Sequence, residues 1–153
     1  MEVLAKRFTE ALPPIWEISE VFLGESQVDL QFLVGNVDDG GNPEELVSAN
    51  FSKLEEKEGF EGDYYRKKVD DELKRELLDV KINHLQESPG MYLRYFVAED
   101  PHWDPRDISD YRYYAEIYCG LCKGIEAYLR VTILMRNPNP ISLHEILNVL
   151  GKL

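Results

Sequence analysis

Between Tyr111 and Arg136 apolar and polar positions alternate with a period of two. Tyr113, Ala115 and Ile117, then Ile125, Ala127, Leu129, Val131, Ile133 and Met135, share one parity. Arg112, Tyr114, Glu116, Tyr118, Glu126, Tyr128, Arg130, Thr132 and Arg136 hold the other. That pattern predicts a long antiparallel hairpin with one buried face, its turn bracketed by Gly120 and Gly124. A helix competes, because Tyr111, Ala115, Tyr118, Cys122, Ile125, Leu129 and Thr132 repeat at heptad spacing. Each interior glycine would cost that helix about 1 kcal/mol, and the β-branched run Val131, Thr132, Ile133 favours strand.

The same reading extends along the chain. Residues 1–12 place Val3, Leu4, Phe8, Ala11 and Leu12 on one helical face, and Pro13-Pro14 ends that helix. Residues 16–23 and 27–34 predict a second hairpin about Gly24-Glu25-Ser26, with Val28, Leu30, Phe32 and Val34 facing one way. After the turn residues Asp38-Asp39-Gly40-Gly41, Asn42-Pro43-Glu44-Glu45 has the form of a helix start, with Val47, Phe51 and Leu54 as its inner face. A further helix starts at Asp63 with Tyr65, Val69, Leu73 and Leu77 four apart. Residues 78–85 fit its continuation, but Leu78, Val80 and Ile82 alternate too, and Ser88-Pro89-Gly90 would turn a strand there into Met91 to Ala98; the hairpin is preferred. Met91, Leu93, Tyr95 and Val97 point one way in that strand, and Tyr92, Arg94 and Phe96 the other. Asn137-Pro138-Asn139-Pro140 stops the last strand, and Ser142 with Glu145 predicts a capping box for a final helix with a stripe of Leu143, Ile146, Leu147 and Leu150.

Together these elements predict a single α+β domain over residues 1–153, an antiparallel sheet of five to six strands with helices packed on one face. The expected order is α-β-β-α-α-(β)-β-β-β-α. Profilin-like adaptor folds, helix-grip ligand-binding folds and small secretion chaperones are similar in element order. This is a likeness of topology without a family motif, and topology does not carry function.

Charge narrows the partners. The net charge is −12, and residues 38–80 hold 14 acidic side chains against 7 basic ones, while residues 104–153 are balanced at 6 and 6. An acidic chain repels phosphate backbones, so nucleic acid is not an expected partner, whereas a basic protein would be attracted. No run approaches the roughly 20 apolar residues of a membrane span. With no apolar leader in MEVLAKRFTE and only two cysteines, the sequence leads to the expectation of a cytoplasmic protein without disulfides.

Three groups of residues could do chemistry. Cys119-Gly120-Leu121-Cys122 has dithiol spacing, and with His102 could supply metal ligands. The loop from Glu99 to Asp110 gathers His102, Trp103, Asp104 and Arg106, a set able to bind a small ligand or move protons if a pocket assembles it. The third group is the outward face of the sheet, with Tyr92, Arg94, Arg112, Tyr114, Tyr118, Tyr128 and Arg130, residue types enriched in protein interfaces. No phosphate-binding glycine loop, nucleophile elbow or His-Glu-x-x-His helix is present, so an enzyme is the less favoured expectation. The leading expectation is a protein-binding module, an adaptor or small chaperone, that uses the aromatic and arginine face. It would take a protein partner, a basic one or a second copy, and no cofactor. The alternative is a small-ligand or metal-binding protein whose site joins the 99–110 loop to Cys119 and Cys122.

Overall fold

The structure, a computed structural model, describes residues 1–55, 63–76, 83–107 and 110–153. Among these residues seven antiparallel strands form one sheet in the order β1-β2-β3-β7-β6-β5-β4. They are β1 (Glu17–Leu23), β2 (Gln27–Val37), β3 (Pro43–Lys53), β4 (His84–Ser88), β5 (Met91–Glu99), β6 (Tyr113–Cys122) and β7 (Glu126–Met135). Among the described residues three helices accompany them, α1 (Glu2–Ala11), α2 (Tyr64–Glu76) and α3 (Ile141–Lys152).

The period-two stretch forms the expected hairpin, β6 with β7, and its pairing of Ile117 with Val131 and Ala115 with Ile133 puts the aliphatic parity on one face. Val28, Phe32, Val47, Phe51 and Leu93 extend that face, against which Leu4, Ala5 and Phe8 of α1 and Leu143, Ile146, Val149 and Leu150 of α3 are buried. Phe8 meets Phe32 and Phe51 edge to face, with ring centroids 6.4 and 5.3 Å apart. Gly120 lies within β6 and does not bracket the turn, which spans residues 123–125 and uses Gly124 at φ +86°.

Helix α2 lies on the opposite face, so the helices are not all on one side of the sheet. Its Val69 and Leu73 pack on Phe96, Tyr118 and Tyr128. Central strands covered on both sides need apolar or aromatic residues at both parities, and here the second layer is built from tyrosine bodies. Gly120 permits this layer: a Cβ there would lie 2.3 Å from the Tyr65 backbone oxygen.

The helix expected after Asn42 is instead β3, the strand that joins β2 to β7. Val47 and Phe51 are four residues apart, a spacing that helix and strand both satisfy. The deciding pattern is Pro43, Glu45, Val47, Ala49 and Phe51, all buried at a period of two. Glu45 therefore caps no local helix. Buried across the fold, it accepts the Ser142 hydroxyl at 2.8 Å and the Ser142 backbone N–H at 3.4 Å in the first turn of α3. Pro140 stands at the N-cap of α3 without a side-chain bond, so Glu45 takes the place of the expected Ser142–Glu145 box. Residues 77–82, including Leu77, Leu78, Val80 and Ile82, lie outside the described residues; β4 begins at His84 and turns at Pro89-Gly90 into β5.

Candidate functional site

The tyrosine and arginine face is largely an internal layer. Tyr118 and Tyr128 are buried beneath α2. The Tyr92 hydroxyl donates to Asp70 at 2.9 Å and Arg94 pairs with the same carboxylate at 3.3 Å, both fastening α2 to β5. Arg130 stacks over Tyr118 and is held by Glu116 at 3.3 Å and Glu76 at 3.6 Å. Tyr114 packs edge-on against Phe96. Arg112 stands apart at the sheet end, paired with Glu99 at 2.9 Å and stacked on Trp103. This face is therefore not one open patch. The amphipathic run 64–76 was visible in the sequence, but nothing in linear order gave the side on which it docks.

The loop and the cysteines are not brought together. The loop leaves the end of the sheet where Tyr113 pairs with Glu99, and Cys122 lies nine residues further along β6, about 30 Å away at strand rise. The two thiols also point to opposite faces, because an interval of three residues changes parity in a strand. Cys119 is fully buried in the aliphatic core, and burial pushes its thiol up to about 12. The site joining the loop to Cys119 and Cys122 is thus not assembled, and among the described residues no three His, Cys, Asp or Glu side chains are grouped to hold a metal ion. Within the loop, Asp104 forms a two-point pair with Arg106, which holds its carboxyl below the usual range, and His102 is exposed. Of the loop residues expected to bind a ligand, only Trp103 lines the cleft of about 430 Å³ between this loop and Asp38 to Gly40.

What α2 leaves uncovered is the other half of its face. Between Lys68 and Glu72 of α2 and the edge strand β1 runs a groove of about 780 Å³. The register sets its floor: Phe22 pairs with Asp29, Asp29 with Asn50 and Asn50 with Arg130, while Glu20, Gln31, Ser48 and Thr132 make the neighbouring row. Its cations are already engaged, Lys68 by Glu72 at 2.8 Å and Arg130 by Glu116 and Glu76. Burial alone would raise Glu72, but Lys68, Arg75 and Arg130 hold it below the usual carboxylate range. Glu116, more enclosed, is raised by burial despite Arg130 and a 2.9 Å bond from the Thr132 hydroxyl. Asp29 accepts the amides of Gln27 and Asn50, and neither it nor Glu20 forms an ion pair among the described residues.

The rim of this groove is β1, and every residue of that strand is exposed. Ile18, Val21, Phe22 and Leu23 retain 45% to 59% of their surface in contact with solvent, against complete burial of Val28, Val47 and Ile133 on inner strands. Ser19 and Glu20 together oppose Gln31, a bulge that keeps Ile18 on the aliphatic face with Val21 and Leu23 while Glu20 and Phe22 turn into the groove. Sequence reasoning singled out none of these residues. Its one available signal was the pair Glu17 and Glu20 three apart in an apolar run, which breaks the period of two and marks the bulge.

Comparisons of this chain with protein-family models, with curated proteins and with solved structures find no match. Among the described residues no helix is long and apolar enough to cross a membrane.

Proposed function

We propose that this protein is a non-enzymatic binding module that receives an extended segment of a partner protein alongside β1, as an eighth strand of the sheet. The supporting observation is the combination of a seven-residue edge strand with four exposed apolar side chains and an adjoining open groove. An edge strand presents alternate N–H and C=O groups without partners, and proteins ordinarily blunt such edges; an added strand satisfies them and places alternate side chains on the two faces. The opposite edge, β4, has five residues and offers less. This keeps the adaptor-like role expected from the sequence and moves its surface from the tyrosine layer to the sheet edge.

The test is fluorescence anisotropy with a labelled heptapeptide of alternating Thr and Val, in three forms: unmodified, and N-methylated at alternate residues in either register. Strand addition predicts that methylation in one register abolishes binding and that methylation in the other is tolerated. Equal affinity for all three forms rejects the proposal.

A further inference from the structure

The two faces of the β1 edge differ in chemistry, and that difference defines the segment it would accept. On the α1 side an added strand lies next to Ile18, Val21 and Leu23, which offer only apolar surface. On the groove side it lies next to Glu20 and Phe22, with Asp29 directly behind Phe22. The groove's cations are consumed by Glu72, Glu76 and Glu116, so the charge left for a partner is that of Glu20 and Asp29.

From this we infer that the partner segment alternates apolar with basic residues, apolar side chains toward α1 and Lys or Arg toward the groove. A long basic side chain suits the place: its methylene stem covers the exposed Phe22 ring while its head reaches Glu20 and Asp29. A second copy of this chain does not fit. Glu17–Leu23 contains two glutamates and no basic residue, so pairing β1 with itself sets acid against acid within two molecules of net charge −12. The inference rests on the strand-addition reading above.

Because any basic peptide is drawn to so acidic a chain, the test separates pattern from attraction. Four heptapeptides are titrated at low salt: alternating Lys-Val, alternating Thr-Val, alternating Glu-Val, and a block peptide with the Lys-Val composition. The expected result is that alternating Lys-Val binds about tenfold more tightly than Thr-Val, and more tightly than the block peptide. Glu20→Lys, a substitution at an exposed position, removes that preference and raises affinity for Glu-Val. Equal binding of the alternating and block peptides, or a Lys-Val preference unchanged in Glu20→Lys, overturns the pattern. Equal binding of all three alternating peptides overturns the charge preference and leaves strand addition standing. Absence of binding by all four overturns both.

Discussion

Gly120→Ala tests whether the docking of α2 depends on the absence of a side chain in β6. A Cβ at this position would meet the Tyr65 carbonyl oxygen at 2.3 Å and its carbon at 2.8 Å, where ordinary contact begins at 3.4 Å. Both groups are backbone, so relief requires α2 and β6 to separate by about 1 Å, a gap that forfeits a quarter to a half of the dispersion between them. Val69 and Leu73 are the helix's principal apolar contacts and are almost fully buried. Each is worth roughly 1.5–3 kcal/mol in place, so the loss comes to about 1–3 kcal/mol, the range seen when cores are overpacked. At this chain length that lowers Tm by about 2 to 12 °C. Urea titration would give the free energy, and hydrogen exchange should show faster exchange in α2 while α1 is unchanged. The sign is diagnostic, because alanine in place of glycine at an unobstructed strand position would stabilise by roughly 0.5–1 kcal/mol. A Gly120→Ala protein as stable as the parent, or more so, would refute the close approach.

Tyr128→Phe should raise stability by about 1 kcal/mol, since its buried hydroxyl has no hydrogen-bond partner among the described residues and carries an uncompensated desolvation cost; a loss of similar size on urea titration would show that the hydroxyl is bonded. Glu45, buried against α3, titrates above its usual range because burial outweighs the Ser142 bonds. A carboxyl raised on folding contributes stability that is present below its unfolded value near 4.5 and lost as pH rises through the folded value. Glu45→Gln should therefore gain on the parent as pH rises from 4.5 to 7, and parallel stability profiles for the two would contradict this. Ile133→Asp places a charge at a fully buried position in β7 and should abolish cooperative unfolding; a folded variant by circular dichroism would contradict the assignment of the aliphatic face.

The hairpins were legible because a half-buried strand writes its register into the sequence at a period of two. Residues 27–34, 91–98 and 113–135 did so, and the helices at 2–11, 64–76 and 141–152 were marked by their apolar spacing, the first also by the proline pair that stops it. Three things were not legible. The strand Pro43–Lys53 was masked by a run that also satisfies helix-start rules, and Glu45 shows how misleading such rules are when the helix to be capped lies nearly a hundred residues away. The side on which α2 docks depends on Gly120, whose significance lies in a backbone contact that spacing cannot express. Edge position was invisible as well. Glu17–Leu23 reads like any strand, and only the pairing shows that no strand among the described residues lies beyond it. The candidate site fell in that last category, so the residue types expected at an interface pointed to the tyrosine layer that α2 covers.

The most direct measurement is amide hydrogen exchange on the whole chain, with and without a saturating concentration of the alternating Lys-Val heptapeptide. Strand addition at β1 predicts added protection across residues 17–23, strongest at amides that point away from β2, with the 99–110 loop and β4 unchanged. Protection that falls on the loop or on β4, with β1 exchanging as in the free protein, would contradict the assignment of the sheet edge as the binding surface.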